Sequence, residues 1–326
     1  MTPQMKLSII IVNYRAWGHL QNALDALADD FPSDWEIIIV DNESEPASFS
    51  AFEQKNAWVR LVANPVNSGF GFGCIIGVKE ASGEQLLFMN PDVIATATQI
   101  RELINEKAKD SQIALLSPKQ IGVDGKPQKV FDEFPDWVNQ SKILKSLRRV
   151  IFPERKPDPR TDYEELVFCD WVTGSCLLVD RAGYDAIGGW SPDFWMYVED
   201  ADLCRRAHDL GMRVAYTPNV QVIHAHGGSS RINVAVKSMT KLEVIISKHV
   251  YNARHAKPLA RFIIHFLIPL LRLPGLVVAF LLDLLTARQV ATLNVRTGVL
   301  SGLLSYYWGA LKNHSWLSPR AQINQS

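Results

Sequence analysis

Residues 84–92 read EQLLFMNPD, an apolar run that ends in a polar turn with a single carboxylate at Asp92. The run is continuous rather than alternating, which indicates a strand covered on both faces of a sheet. Two earlier stretches share this pattern, residues 6–12 (KLSIIIV) and residues 35–42 (WEIIIVDN), and residues 59–64 (VRLVAN) predict a shorter strand.

Helical patterns separate these strands. Leu20, Leu24 and Leu27 are spaced as one face of a helix that follows the first strand. The glycine-rich stretch 67–77 (NSGFGFGCIIG) predicts a turn that leads into a short helix, and its spacing differs from that of a dinucleotide fingerprint. Strands that alternate with helices indicate an α/β fold with a Rossmann-like, mainly parallel central sheet flanked by helices.

Each predicted strand ends in polar side chains, and in parallel sheets ligands bind outside the carboxyl ends of the strands. These polar ends are Asn13 with Tyr14, Asp41 with Asn42, Asn64, and Asn90 with Asp92. The sequence therefore predicts one site at this edge of the sheet.

The second half of the chain contributes another acidic group. Residues 120–166 contain several prolines and a basic cluster, which predicts an excursion outside the core. A loop rich in aromatic residues then leads into a helix that starts near Glu199 and Asp200 and ends at Gly211. Aromatic residues around adjacent carboxylates raise their proton affinity, which suits a general base.

Composition limits the class of protein. The 326 residues carry a formal net charge of zero, which argues against a nucleic-acid partner. The four cysteines have no CxxC spacing, which argues against a zinc ribbon or redox pair and fits a reducing compartment. The first 14 residues differ from a signal peptide. We expect a cytoplasmic protein, or one on the inner face of the cell membrane.

The C-terminal region differs in character, and we place a domain boundary between residues 1–235 and residues 236–326. Residues 262–285 are apolar but interrupted by two prolines, an arginine and an aspartate. Basic residues precede them, so we expect one or two helices lying in the membrane interface. A helical pair packed on the domain or on a partner subunit is the alternative, and a homo-oligomer is possible.

Seven stretches together carry a resemblance to a known family. They are SIIIVNY, IIIVDNES, NSGFGFG, LLFMNPDV, GSCLLVDR, IGGWSPDFWMYVEDADLCRRAHDLG and VIHAHGGSSR, and they fall between about residues 6 and 231. In this order they resemble the family 2 glycosyltransferases with a GT-A fold, in particular the rhamnosyltransferase-like branch that builds bacterial cell-surface glycans.

The resemblance implies an inverting, metal-dependent transfer of a sugar from a nucleotide sugar to a lipid-linked or polysaccharide acceptor. The implied donor is dTDP-L-rhamnose, with UDP-galactofuranose or UDP-glucose as alternatives. Asn13 and Tyr14 would line the nucleotide pocket, while Asp41 would bind the pyrimidine base with Asn42 beside it. Three residues of the glycine-rich stretch would shape the loop over the nucleotide: Asn67, Gly69 and Gly73.

The same resemblance implies the metal site and the base. Asn90 and Asp92 occupy the place of the family's DxD motif, so Asp92 would coordinate Mg²⁺ or Mn²⁺. His224 would complete the metal shell, with His226 as the alternative ligand. The implied catalytic base is Asp200, with its neighbour Glu199 as the alternative.

Two residues depart from the family pattern. Asn90 supplies an amide where an acid is expected, which predicts a weak metal site that depends on the donor diphosphate. Ile76 stands where many relatives have asparagine, so a polar contact to the sugar is in doubt there.

Two other classes of protein are weighed against this one. A sugar nucleotidyltransferase needs a glycine-rich basic loop after the first strand, whereas residues 12–20 offer one arginine and one glycine. A non-catalytic protein of the same fold would not need the set formed by Asp41, Asp92, Asp200 and His224. Both are disfavoured.

Overall fold

In a computed structural model, the chain is described over residues 6–136, 138, 142–151, 157–159, 161–225 and 233–321. The strands in these ranges are β1 (Leu7–Asn13), β2 (Trp35–Asn42), β3 (Arg60–Asn64), β4 (Gln85–Met89), β5 (Val93–Ile94), β6 (Ile113–Ile121), β7 (Phe131–Asp132), β8 (Val167–Phe168), β9 (Trp171–Val172), β10 (Cys176–Asp180) and β11 (Arg213–His224). The helices are α1 (Trp17–Ala28), α2 (Pro46–Lys55), α3 (Phe70–Glu80), α4 (Ala97–Ala108), α5 (Lys142–Ile151), α6 (Arg181–Ile187), α7 (Glu199–Asp209), α8 (Val234–His255), α9 (Pro258–Leu285) and α10 (Ala291–Asn313).

The main sheet has the order β3-β2-β1-β4-β10-β6-β11-β5, with β8 also paired to β11. Its first four strands in this order run parallel, and β6 and β11 are parallel to each other. Between these two groups β10 runs antiparallel to both neighbours, with Cys176 opposite Met89. The start of β10 therefore lies at the carboxyl end of β4, which places the residues just before Cys176 at the predicted site.

Both faces of the sheet are covered, as the continuous apolar runs predict. Ile9 and Ile11 are fully buried in one core cluster, and Ile10 lies in another on the opposite face. On that second face α3 packs so closely that a Cβ at Gly77 would lie 2.5 Å from Ile10 Cγ2. A Cβ at Gly73 would lie 2.7 Å from Val12 Cγ1, so these glycines allow the helix to reach the strands.

Two local expectations are wrong. The glycine-rich stretch is a turn only as far as Gly69, because α3 already begins at Phe70. Residues 120–166 do not all lie outside the core, since Val130 and Phe131 are buried and β7 pairs with β9.

The chain divides into two compact units. The sheet unit comprises residues within 1–134, 157–191 and 200–229, and the helical unit comprises residues within 135–156, 192–199 and 230–326. Residues 192–199, which come before the predicted boundary at residue 235, thus belong to the helical unit.

In the helical unit, α9 is continuous over 28 residues and includes Pro269 and Pro274. The structure thus has one helix here, within the expected one or two, and the prolines do not interrupt it. By length and composition α9 could cross a membrane, and only 17% of its most apolar stretch is buried. Its outward side exposes large apolar residues, among them Leu259, Phe262, Phe266, Leu270, Val278 and Leu285.

Candidate active site

The first part of the site is a hydrogen-bonded set at the ends of β1 and β2. Asn13 and Asp41 are opposite each other in the parallel register, and both are buried. Asn13 Nδ2 donates to Asp41 Oδ1 at 2.7 Å. Ser44 adds two hydrogen bonds to the same carboxylate, from its hydroxyl at 2.6 Å and from its backbone N–H at 3.1 Å. Asp41 is therefore a fixed acceptor rather than a mobile surface acid.

A second set joins the ends of β2 and β3 to the glycine-rich stretch. Asn64 Nδ2 donates to Asn42 Oδ1 at 2.8 Å, and Asn42 Nδ2 donates to the carbonyl oxygen of Gly69 at 2.9 Å. Asn67 Oδ1 accepts from the Gly69 N–H at 3.2 Å. Gly69 has a φ of +86°, which favours glycine at this position. These bonds fix the turn before α3 at the carboxyl edge of the sheet.

Two of the predicted nucleotide-site residues differ from this pattern. Tyr14 is partly exposed, with the Arg15 guanidinium 5.2 Å from its ring centroid. Gly73 lies inside α3 rather than in the loop. Its lack of a side chain allows the helix to pack closely against Val12. The structure thus provides a packing reason for this glycine that needs no ligand.

The second part of the site brings Asp92 next to His224. After β4 the chain turns through Asn90 into the short strand β5, which pairs antiparallel with the end of β11 so that Val93 lies opposite His224. The Ala225 N–H donates to the Asp92 carbonyl oxygen at 2.9 Å. His224 Nε2 consequently lies 3.3 Å from Asp92 Oδ1, and both side chains are largely buried. His226 lies outside the described residues.

This spacing fits two neighbouring ligands of one divalent cation. Ligands about 2.1 Å from an octahedral cation lie about 3 Å apart. Among the described residues, no group of three or more His, Cys, Asp or Glu side chains could hold a metal ion. Asp92 and His224 could thus supply two ligands, and Mg²⁺ typically takes one or two carboxylates together with substrate phosphates. A donor diphosphate would complete such a site.

The third part of the site is Asp200, in the first turn of α7. Its Oδ2 accepts from the Gly174 N–H at 3.3 Å, and its Oδ1 accepts from the Ala201 N–H at 2.8 Å. Burial raises the pKa of Asp200 to about 6, against the lowering effect of these backbone N–H groups. A carboxyl group with such a pKa exchanges protons readily near neutral pH. Glu199 precedes it and is also buried.

The backbone before α7 is conformationally unusual. Tyr197 and Val198 have φ values of +70° and +68°, in the left-handed region that bulky and β-branched residues rarely adopt. Strained backbone of this kind clusters at functional sites. The ring of Trp190, in the aromatic-rich loop, packs on Phe70 and Phe88 in the core.

Gln120 and Ser175 lie beside the candidate residues, although the sequence does not single them out. Gln120 Oε1 lies 2.8 Å from His224 Nδ1 and accepts from Ser175 Oγ at 2.9 Å. The Asn90 N–H donates to the backbone carbonyl oxygen of Ser175 at 2.8 Å. In the sequence, Gln120 is marked only as a polar residue near the end of a strand. A glutamine there has no distinctive spacing from other polar residues.

These contacts form a continuous path from Asp92 to Asp200. The path runs from Asp92 through His224 and Gln120 to Ser175, along the backbone to Gly174, and from its N–H to Asp200. All of these residues lie in the sheet unit. The antiparallel strand β10 makes the path possible, because residues 173–175 immediately precede it.

In open α/β sheets ligands bind outside the carboxyl ends of the strands, so this polar edge marks a ligand site. Comparisons with known proteins make the class specific. The model of the family described as "Glycosyl transferase family 2" matches residues 8–174, about half of the chain. The chain belongs to this family and is a glycosyltransferase.

The chain is also similar to curated relatives. It is 26% identical over 236 residues to an N-acetylglucosaminyl-diphospho-decaprenol L-rhamnosyltransferase of Mycobacterium tuberculosis, which covers 67% of this chain and 75% of the relative. It is 26% identical over 230 residues to the rhamnosyltransferase WbbL of Escherichia coli, which covers 66% of this chain and 82% of the relative. The resemblance to the rhamnosyltransferase-like branch is thereby confirmed.

Among solved structures, GalNAc-T7 crystallised with UDP, GalNAc and Mn²⁺ matches with a TM-score of 0.52 at 15% identity. The match covers 79% of this chain, and the chain spans 52% of that structure. At this identity the likeness shows the fold alone, and it confirms the predicted GT-A architecture.

Proposed function

We propose that the protein is an inverting, divalent-metal-dependent rhamnosyltransferase that uses dTDP-L-rhamnose as its donor. Its acceptor is a lipid-linked or polysaccharide glycan in the synthesis of the bacterial cell surface. Similarity to two proteins named as rhamnosyltransferases supports the sugar, and the diphospho-decaprenol in the name of one of them supports a lipid-linked acceptor.

The observation that carries the proposal is the path between Asp92 and Asp200. Inverting transfer needs a group that stabilises the leaving diphosphate and a base for the acceptor hydroxyl. The path holds one candidate for each role at its two ends, Asp92 with His224 and Asp200. Neither role requires a covalent nucleophile.

Asp200 acts as the general base that accepts the proton of the acceptor hydroxyl. The acceptor hydroxyl attacks the anomeric carbon, its proton passes to a carboxylate oxygen of Asp200, and the bond from the sugar to the phosphate breaks with inversion. With a pKa near 6, Asp200 is mostly ionised at pH 7 and still basic enough to accept a proton. Its hydrogen bond from Gly174 keeps the carboxylate oriented during this step.

The nucleotide and the cation have separate supports. Asn13, Tyr14, Asp41 and Asn42 form the nucleotide end of the site, where prearranged hydrogen bonds hold Asp41 in place for the base. Asp92 and His224 would hold Mg²⁺ or Mn²⁺, which neutralises charge on the leaving diphosphate when bound.

Donor identity can be tested directly with purified protein. We expect transfer or slow hydrolysis of dTDP-L-rhamnose in the presence of Mn²⁺ or Mg²⁺, and its loss with EDTA. A panel containing UDP-galactofuranose and UDP-glucose provides the comparison. Turnover of a UDP-sugar without turnover of dTDP-L-rhamnose would overturn the donor, and full activity in EDTA would overturn the metal requirement.

We also propose that the protein lies on the inner face of the cell membrane through α9. Its outward side is apolar, whereas Lys257 and Arg261 near its start and Arg272 at its middle are exposed. A charge at the middle of a spanning helix is costly, so an orientation along the interface suits Arg272 better than a span. Eight Lys and Arg residues but one acid between residues 231 and 272 suit anionic lipids.

Vesicle flotation tests this surface. A triple variant Phe262→Ser, Phe266→Ser and Leu270→Ser should lose binding to vesicles that contain anionic lipid. The double variant Val123→Ser and Leu210→Ser removes exposed apolar side chains from the sheet unit and should float like the wild type. If the triple variant floats normally but changes from dimer to monomer, the face is a subunit interface instead.

A further inference from the structure

Gln120 is a buried amide beside the proposed metal pair. It lies in β6, one residue before the strand ends, and only 1% of it is exposed. Its Oε1 is shared by two neighbours, Ser175 Oγ at 2.9 Å and His224 Nδ1 at 2.8 Å. Its Nε2 has no hydrogen-bond partner among the described residues. The oxygen alone therefore connects this amide to the site.

Ser175 determines which end of the amide faces the histidine. Thr173 Oγ1 accepts from the Ser175 N–H at 3.4 Å and donates to Ser175 Oγ at 3.2 Å. The hydroxyl proton of Ser175 is then directed at Gln120, which must present an oxygen to receive it. The same oxygen faces His224.

An oxygen at this position selects one tautomer of His224. A neutral imidazole carries one proton, and both ring nitrogens of His224 face an acceptor, Gln120 Oε1 at 2.8 Å from Nδ1 and Asp92 Oδ1 at 3.3 Å from Nε2. The nitrogen with the shorter contact is the one assigned the proton, since 3.3 Å exceeds the usual hydrogen-bond length. Nδ1 thus carries the proton and donates to Gln120 Oε1. Nε2, which lies 3.3 Å from Asp92 Oδ1, is left with its lone pair towards the point where a cation would meet both groups.

We propose that Gln120 is a positioning residue that holds His224 in the tautomer whose Nε2 can bind a divalent cation together with Asp92. The proposal rests on the metal site of the proposed function. Outer partners of ligating histidines change metal affinity by about 10- to 100-fold when removed. Gln120 would act through His224 and would touch neither the donor nor the acceptor.

The tautomer can be read without any metal. Long-range ¹H–¹⁵N spectra of protein labelled at histidine, recorded at mildly alkaline pH, distinguish a proton on Nδ1 from one on Nε2, and His224→Ala assigns the signal. We expect Nδ1–H in the wild type. A proton on Nε2 would overturn the proposal whether or not the protein binds a cation.

Metal titration provides the second arm, with Mn²⁺ followed by electron paramagnetic resonance in the presence of dTDP. Gln120→Met removes the acceptor at similar size and should weaken Mn²⁺ binding by about 10- to 100-fold. Gln120→Glu keeps an oxygen towards Nδ1 and should bind at least as tightly as the wild type. Full affinity in Gln120→Met would overturn the proposal.

Gln128 offers a matched control, because its Nε2 donates to the backbone carbonyl oxygen of His224, at 2.7 Å, rather than to a ring nitrogen. Gln128→Met should keep wild-type affinity for Mn²⁺. An equal loss in both methionine variants would show that Gln120 only supports the local fold, and would overturn the proposal. A wild type that does not bind Mn²⁺ would instead sink the metal assignment of the proposed function, while the spectra still decide the tautomer.

Discussion

Asp41 and Asp200 both lie in the sheet unit, yet their surroundings differ. Asp41 is 3% exposed and receives hydrogen bonds from Asn13 and from two groups of Ser44. Asp200 is partly exposed, receives backbone N–H groups from Gly174 and Ala201, and has a pKa raised by burial to about 6. The proposed nucleotide end is thus fixed by side-chain hydrogen bonds, whereas the proposed catalytic end keeps a carboxyl group that can change its protonation.

The largest expected effect is on turnover. Asp200→Asn removes the proposed base and should lower kcat by about 10³-fold, while the dissociation constant of the donor changes little. Rates from single-turnover transfer and donor binding by calorimetry would measure the two quantities. Asp209→Asn, at the exposed end of the same helix, serves as the control and should keep kcat. If Glu199→Gln is inactive and Asp200→Asn is active, the base is Glu199.

Asp41→Asn should act mainly on stability. An amide nitrogen would face the donors of Asn13 or Ser44 in a buried position, leaving them without an acceptor. We expect the free energy of unfolding to fall by about 3 kcal/mol, together with weaker donor binding. Urea denaturation at pH 7 measures this change. A variant as stable as the wild type would remove the contrast between the two carboxylates.

Asp200→Asn should have the opposite effect on stability. The folded pKa of about 6 lies above the ordinary aspartate value, so stability falls as the pH rises from about 4 to about 6, and the loss is complete above 6. Removing the charge should raise the free energy of unfolding by about 2 kcal/mol at pH 8, after allowance for solvent screening. The gain should be much smaller at pH 4, because the folded carboxyl group is protonated there and the unfolded one is only partly ionised. An equal gain at both pH values would contradict this origin.

The smallest expected effect is the pH dependence of the wild type. Because the base must be ionised, kcat should fall as the pH drops below about 6, approaching tenfold per pH unit. A profile of kcat between pH 4.5 and 8, with saturating donor and metal, gives the midpoint. Asp200→Asn should lose this acid limb in its residual activity. A midpoint near pH 4 would mean that burial does not set the proton affinity of the base.

Residues with strong local patterns were predictable from the sequence. The continuous apolar runs predicted the buried parallel strands, and the polar residues after them predicted the edge at which Asn13 meets Asp41. Asp92 and His224 lie together in the structure, although their roles as ligands stay predictions. The family resemblance, rather than periodicity, suggested that pairing.

Features that depend on distant neighbours were not predictable. Nothing in the apolar run of β10 distinguishes an antiparallel strand from a parallel one, so the position of Ser175 beside Asn90 could not be foreseen. Gln120 gains its role only from strands that come later in the chain. Proline locally disfavours the interior of a helix, but α9 continues through two prolines. It packs against α8 and α10, contacts that the local sequence does not reveal.

The two prolines of α9 have a mechanical consequence. Proline has no N–H, so Pro269 and Pro274 leave the carbonyl oxygens of His265 and Leu270 without their usual partners four residues later. Such positions bend easily, and free carbonyls need water or lipid headgroups. If α9 lies on a bilayer as proposed, we expect it to bend at these two positions and so to follow the curvature of the membrane surface, which a rigid straight helix could not do.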